Sequence, residues 1–177
     1  MPELSFEVVT GEALSTGVRA EILNLCSSAY NEDFSAHLEL LTKPVHVFAR
    51  LGGRMVSHAA WVERHLQPDG LGLLRTAYVE AVATLPEAQG KGYASAILSE
   101  IPGLVSDFDL AALSPSDPAF YRRLGWELWQ GPLLIRRDAG LVPTPDEVVM
   151  IRRLPGTPAA LNTRVRLSAE WRPGEVW

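Results

Sequence analysis

The chain is poor in cysteine, lacks any long apolar run and has no surplus of basic residues, and each shortage closes off a class of proteins. One of its 177 residues is a cysteine, Cys26, so an internal disulfide framework and a Cys-based zinc cluster are both excluded. No stretch approaches the ~18 unbroken apolar residues that a spanning helix needs, so no membrane partner is expected. The opening Met1-Pro2-Glu3-Leu4-Ser5-Phe6-Glu7 carries acids where a secretory leader would carry a basic patch and an apolar run, which makes the cytoplasm the expected location. Lys and Arg number 16 against 21 Asp and Glu, a net charge of −5. The basic pairs Arg122-Arg123, Arg136-Arg137 and Arg152-Arg153 are short and scattered. Nucleic-acid binders present a basic stripe, so nucleic acid is not an expected partner. An acidic balance suits a cationic substrate. His37, His46, His58 and His65 show no metal-ligand spacing, and no metal is expected.

What is present is the composition of one ordinary globular domain, 47% hydrophobic, spanning residues 1–177. Ser5–Thr10 reads as a strand. From Ser15 to Tyr30 apolar residues recur at Val18, Ile22, Leu25, Cys26 and Ala29, the spacing of a helix. Cys26 falls on that stripe and reads as a small buried hydrophobe, with no paired histidine in view. Asn31–Pro44 is polar and irregular, a loop or a broken helix. Val45–Leu51, Gly52-Gly53 and Arg54–Gln67 form a β-hairpin pattern. Pro68–Gly72 turns the chain into a strand from Leu73 to Leu85, followed by a helix to about Ile101 that Pro102-Gly103 is expected to end. Phe108–Leu113 and Ser116–Leu124 read as a strand and a short helix. Trp126–Arg137 and Val148–Leu154 read as strands separated by a loop rich in Pro and acid. Arg164–Trp171 adds a last strand, through which two copies would pair in a homodimer. Strands dominate around a central β-α-β-α-β stretch, which predicts an α+β, mixed-sheet domain.

The informative stretch runs from Tyr78-Val79-Glu80 to Gly90-Lys91-Gly92-Tyr93-Ala94. A strand enters a glycine-containing turn that opens a helix, and free amides at a helix N-terminus form a ready pyrophosphate site. Gly-Lys is followed by Gly rather than Ser or Thr, which excludes a P-loop. The third glycine of a dinucleotide fingerprint is missing. Gln89-x-x-Gly92-x-Ala94, after a Val/Ala strand and Pro86, resembles the acetyl-CoA signature of the GNAT superfamily of N-acyltransferases. Ala119-Phe120-Tyr121-Arg122-Arg123-Leu124-Gly125-Trp126 resembles that superfamily's later helix-to-strand segment. The ending Glu170–Trp177 resembles that of bacterial aminoglycoside 2'-N-acetyltransferases. So do Ala29-Tyr30 through Asp33-Phe34, Ser57–Ala60, Ala112-Leu113-Ser114 and Thr144-Pro145-Asp146.

The resemblance implies a GNAT fold, a mixed, mostly antiparallel twisted sheet flanked by helices around an acetyl-CoA-binding core. It implies transfer of acetyl from acetyl-CoA to an amino group of an aminoglycoside antibiotic, conferring resistance. Such a transfer needs a neutral amine, and an alkylammonium needs a base to become one. Glu80 lies in an otherwise apolar strand, an odd place for an idle charge, and is the candidate general base, acting directly or through water. By resemblance Tyr121 is the general acid at the CoA sulfur. The amides of Val82, Ala83 and Thr84, and of Gln89, Gly90, Lys91, Gly92, Tyr93 and Ala94, would hold pantetheine and pyrophosphate. Asp33, Glu80, Glu147 (or its neighbour Asp146), Glu175 and Trp177 with its carboxylate would surround the cationic substrate, residues 155–177 closing the site. The family pattern has a further acid soon after Asp33, where this chain has Ala36-His37-Leu38-Glu39, so only a shifted Glu39 is available. Fewer acids suit a less highly charged substrate such as kasugamycin. Two alternatives stand beside this reading: a GNAT enzyme for another amine (a polyamine, an amino acid or a protein N-terminus), and a domain that binds acyl-CoA or an aminoglycoside without turnover.

Overall fold

Gly52 and Gly53, both at positive φ (58° and 83°), reverse the chain between β2 (Val45–Leu51) and β3 (Arg54–Pro68), as the hairpin pattern requires. The structure is a computed structural model that describes residues 3–177. Met1 and Pro2, the start of the N-terminal stretch read above as leaderless, lie outside the described residues. The chain divides into two compact units. One runs up to Val62 and adds Val79–Ile101; the other joins Glu63–Tyr78 to Pro102–Trp177. Strands β3 and β4 (Leu74–Thr84) each contribute residues to both.

In the first unit β1 (Leu4–Thr10) pairs antiparallel with β2 along its whole length, and β2 pairs antiparallel with β3 from Val45↔Trp61 to Leu51↔Arg54. Helix α1 (Thr16–Tyr30) begins where Ser15 accepts a hydrogen bond from the Val18 amide, and ends at the left-handed Asn31. Its buried Ile22, Leu25 and Cys26 pack with Phe34, Phe48, Met55, Ala81 and Ala83. Burial of each large apolar side chain in this cluster contributes ~1.5–3 kcal/mol. A short α2 (Ser35–Glu39) breaks the loop that follows α1. Helix α3 (Tyr93–Leu104) starts after Gly92.

In the second unit β4 runs parallel to β5 (Leu110–Leu113) over Thr76–Tyr78, after which come α4 (Pro118–Arg123) and β6 (Glu127–Leu128). Strand β7 (Leu133–Arg137) forms a hairpin with β8 (Gly140–Pro143). Strand β9 (Met150–Arg153) lies antiparallel to both β5 and β6. Strand β10 (Leu167–Glu170) pairs antiparallel with β3 on one side and parallel with β7 on the other. Antiparallel pairings predominate, while β4–β5 and β7–β10 run parallel, so the α+β, mixed-sheet expectation holds.

Three local expectations need correcting. Pro102 does not end α3, which continues to Leu104; so near the helix end its missing N–H costs only the bond to Leu98, and its ring causes no break. Trp126–Arg137 is two strands, because the chain bends at Gln130-Gly131-Pro132. A Cβ on Gly131 would lie 1.9 Å from the Val165 carbonyl oxygen, so only glycine fits there. The loop before Val148 contains β8. Strand β10 has β7 along its whole length on one side and β3 at Leu167 and Ser168 on the other. Among the described residues no helix is long and apolar enough to cross a membrane.

Candidate active site

Glu80 stands in β4 immediately before Ala81, whose φ of 51° is left-handed. That conformation costs a residue with a Cβ roughly 1–2 kcal/mol. Local strain of this kind persists only where the surroundings over-determine it. Here they do: four consecutive carbonyls accept hydrogen bonds from side chains. His58 Nδ1 donates to Ala81 (2.9 Å), Tyr30 Oη to Val82 (2.9 Å), Ser57 Oγ to Ala83 (3.0 Å) and Gln89 Nε2 to Thr84 (3.3 Å). Ala81 and Ala83 point into the α1 core while Glu80, Val82 and Thr84 alternate to the other side.

The Glu80 side chain is 8% exposed, and its Oε2 lies 3.9 Å from His37 Nε2. His37 is carried by α2 and stacks on Phe34, which stacks on Tyr30, each pair with ring centroids 4.5 Å apart. This aromatic ladder links the end of α1 to the carboxylate on β4, and Tyr30 closes it through Val82. Asp33 is exposed, and its carboxylate accepts from the Ser35 amide at 3.0 Å, which holds its pKa below the usual carboxylate value. Glu39, the shifted acid, lines a cavity of about 440 Å³ with Glu12, Arg19, Lys43 and His46. His37 is thus the α2 side chain that reaches Glu80.

The glycine turn before α3 follows. Gly90 and Gly92 adopt φ of 74° and 84°. A Cβ at either would meet nothing within 4 Å, so the immediate demand for glycine is the backbone angle. The first helical bond is Ala96 N–H to the Gly92 carbonyl, at 2.9 Å. The amides of Gly92, Tyr93, Ala94 and Ser95 therefore lie ahead of the helix's own ladder, where an anion is held best. Open space, free amides and the exposed Lys91 fit a CoA pyrophosphate.

The second unit holds the remaining candidates. Asp117 caps α4 by accepting from the Ala119 amide at 3.0 Å, and Pro118 occupies the first turn. This sets Tyr121 edge-on to Trp126, centroids 6.3 Å apart. Tyr121 is buried, and burial followed by the Asp117 charge pushes its phenol up to about 12, so it stays protonated at neutral pH. The Trp177 indole is buried and donates to Thr144 Oγ1 (2.9 Å), which in turn donates to the Leu133 carbonyl (3.1 Å). Glu147 is exposed in the turn that begins at Thr144, its amide bonded to the Thr144 carbonyl. The docked indole and Glu147 are therefore neighbours through one threonine. Glu175 is exposed and its carbonyl accepts from Arg172 Nε at 2.7 Å.

Sequence reasoning missed what anchors this segment. Arg64, 2% exposed, donates from Nε to Glu170 Oε1 (3.0 Å), from Nη2 to the Glu170 carbonyl (2.8 Å) and from Nη1 to the Val176 carbonyl, with the Tyr78 ring 5.0 Å away. Burial first, then the nearby Arg172 charge, lowers the Arg64 pKa from its ordinary value. Its one legible signal was an arginine inside the buried run of β3.

Residues 16–129 match the acetyltransferase (GNAT) domain family. The chain belongs to the GNAT acetyltransferase family. It is 36% identical over 156 residues, 84% of its length and 80% of the relative's, to the aminoglycoside 2'-N-acetyltransferase of Mycolicibacterium fortuitum. A GNAT family N-acetyltransferase of Escherichia coli, solved in complex with CoA, superposes with a TM-score of 0.62 at 17% identity, covering 96% of this chain and 92% of that one. A GNAT family acetyltransferase of Brucella melitensis, solved with acetyl-CoA, gives 0.52 at 17% identity over 70% and 83%. Some solved neighbours are longer: this chain spans 33% of Eis1 from Mycobacterium abscessus, with a TM-score of 0.62 at 17% identity over 75% of this chain.

This GNAT enzyme is an acetyl-CoA-dependent N-acetyltransferase, and its one cysteine does not carry the acetyl group. Cys26 is fully buried, and burial pushes its thiol up to about 12. The reading that no histidine pairs with it is corrected, since His58 Nδ1 lies 3.7 Å from its Sγ. His58 itself is pushed down to about 3, by burial first and then by His46. A neutral imidazole beside a neutral thiol makes no thiolate nucleophile. Among the described residues no group of three or more His, Cys, Asp or Glu is placed to hold a metal ion.

Proposed function

We propose that this acetyltransferase transfers acetyl from acetyl-CoA directly to the 2'-amino group of an aminoglycoside, and so confers resistance to it. The observation that carries this is the ordered identity to the Mycolicibacterium fortuitum enzyme, 36% over 84% of the chain. Glu80, a little-exposed carboxylate set between Tyr78-Val79 and Ala81-Val82-Ala83 in β4, supports it chemically.

The acceptor arrives as an ammonium ion. Glu80, directly or through a water, takes a proton and leaves a lone pair on nitrogen. That nitrogen attacks the thioester carbonyl carbon, a C–N bond forms, the C–S bond breaks and the electron pair stays on sulfur. The nitrogen loses its second proton as the amide forms. Tyr121 acts at the sulfur. A phenol with a pKa of about 12 is a weak proton source for a thiolate whose conjugate acid lies near ~8.5. Its contribution is chiefly the hydrogen bond to sulfur as charge develops, with net protonation completed from solvent. Val82, Ala83 and Thr84 would hold pantetheine by their amides, and Gln89 to Ala94 the pyrophosphate. Asp33, Glu147, Glu175 and Trp177 would hold the substrate, with residues 155–177 closing over it. Such an enzyme acts on an antibiotic that has already entered a bacterial cytoplasm.

The α2 segment refines the substrate. It sets a histidine beside Glu80, while Glu39 lines the cavity with Arg19 and Lys43. One acid fewer at the amine site favours a sparsely charged aminoglycoside, and kasugamycin fits that description better than neomycin or gentamicin. The test follows thiol release from acetyl-CoA by the purified enzyme with kasugamycin, tobramycin, gentamicin, neomycin and a polyamine. Mass and NMR analysis of the product then locate the new amide. Turnover of an aminoglycoside is expected; turnover of the polyamine alone would overturn the reading.

A further inference from the structure

Ala81 is held in its left-handed conformation from behind by two buried histidines. His58 Nδ1 lies 2.9 Å from the Ala81 carbonyl oxygen, and His58 Nε2 lies 2.9 Å from His46 Nδ1. Both rings are almost wholly buried, His58 at 0% exposure and His46 at 4%. A carbonyl oxygen only accepts, so the Nδ1 of His58 carries a proton. A neutral His58 then has a bare Nε2, and the proton between the rings belongs to His46 Nδ1. The chain of donors has one direction: His46 to His58 to Ala81. Burial depresses both imidazoles, His58 to about 3 and His46, with help from the Arg19 charge, to about 4, so both rings are neutral in the physiological range. The other group against His58 is the Cys26 thiol, itself neutral.

No step of the acetyl transfer uses these histidines, yet they end on the carbonyl between the proposed base and the proposed pantetheine amides. We propose that His46 and His58 are positioning residues, a pair locked in one tautomeric order that fixes the Ala81 carbonyl and thereby aims Glu80 and the amides of Val82 to Thr84. The proposal rests on the roles given above to Glu80 and those amides. His46 acts only through His58. Without it the Nε2 of His58 loses its donor and the ring is free to carry its proton there, which would set a bare Nδ1 against the Ala81 oxygen.

Two experiments on the whole protein test this. Long-range proton–nitrogen NMR of the nitrogen-15-labelled enzyme at neutral pH should show two neutral imidazoles, each protonated at Nδ1. A proton on Nε2 of His58, or a charged ring, would overturn the assignment whatever any variant does. The second experiment compares His46→Leu, His58→Asn and the double variant by CoA calorimetry and by kcat/KM for acetyl-CoA. An asparagine amide occupies the Nδ1 position, so His58→Asn should retain most of the function. His46→Leu should lower kcat/KM by about tenfold to a hundredfold, the penalty of a misplaced reacting group, and should weaken CoA binding. In the His58→Asn background the same change should have little further effect, because the atom it supports is gone. Equal losses in both backgrounds would show a merely structural role and sink the proposal. Calorimetry and NMR need no amine, so a wrong acceptor in the functional reading would leave these two results standing.

Discussion

Two stretches of the chain are held by the same device made from different materials. Along Ala81–Thr84 the carbonyls accept from His58, Tyr30, Ser57 and Gln89, all in use as neutral donors. Along Ser168–Val176 they accept from arginines: Arg136 at the Ser168 carbonyl (2.6 Å), Arg64 at Glu170 and Val176, and Arg172 at Glu175. Neutral donors bury cheaply, one per carbonyl, and each can be lost alone. A buried guanidinium makes stronger, charge-assisted bonds and serves several acceptors at once, but its desolvation must be offset by all of them together. The β4 segment should therefore fail piece by piece, the C-terminal one all at once.

Removing Arg64 is the largest way to break that contrast. Arg64→Ala leaves the half-buried Glu170 and Val176 carbonyls without their Arg64 donor, and the Glu170 carboxylate with the His65 amide (3.4 Å) and Arg136, whose nitrogen lies 3.6 Å away. Each hydrogen bond from the charged guanidinium is worth about 1.5–3 kcal/mol, and the ion pair adds little because the Glu170 side chain is 40% exposed. Urea unfolding should show a midpoint shift of that size. Arg64→Lys should recover only part of it, because an ammonium has no fork to span Glu170 and Val176. A shift of under ~1 kcal/mol would mean the arginines are no more concerted than the neutral donors.

Acid sharpens the comparison from the other side. Both histidine pKa values are depressed in the folded state, to about 3 and about 4. The unfolded chain takes up protons first as pH falls through ~6.5, so the stability these rings contribute is complete above that pH and erodes below it, down to the folded values. Each ring in that window should contribute a slope of up to ~1.4 kcal/mol per pH unit. Denaturant melts between pH 7 and 4 should show it, and His58→Asn should flatten it. An unchanged slope in that variant would assign the acid lability to other groups.

A smaller effect probes a bond inside the arginine-held unit that no arginine makes. Thr144→Val removes the acceptor of the Trp177 indole and the donor to Leu133. A hydroxyl bonded in this way is worth about 1–2 kcal/mol. Calorimetric melting should register it as a modest fall in Tm, well short of that for Arg64→Ala.

These two regions were also unequally legible in the sequence. The hairpin, the run of β4 and the glycine turn into α3 declare themselves locally, through alternation, Gly52-Gly53 and Gly90-x-Gly92. Glu80 stood out because a charge interrupts an apolar strand. The histidine pair was nearly readable, since His46 and His58 lie on one face of a hairpin. Their contact is diagonal, with His46 opposite Ala60 and His58 opposite Phe48, in a register shifted between Ala49 and Arg50. Nothing near Arg64 announces its partners, which lie 106 and 112 residues further along the chain. The bend at Gly131 carried a local cue in Gly131-Pro132, but the reason for it, the Val165 carbonyl against that glycine, is remote.

Tyr121→Phe should be the smallest perturbation of the fold and a large one of the chemistry. The ring keeps its edge-on contact with Trp126, and no hydrogen bond from the phenol to another described residue is broken. Stability should change by less than ~0.5 kcal/mol. If the hydroxyl supports the leaving sulfur, kcat should fall by ~10²–10³, as for loss of one donor aimed at developing charge. CoA affinity should be untouched. This profile is the inverse of that expected for Arg64→Ala, where stability falls first and the chemistry of the folded fraction changes through KM for the amine. A Tyr121→Phe enzyme with full turnover would confine the phenol to packing and leave departure of the sulfur to solvent.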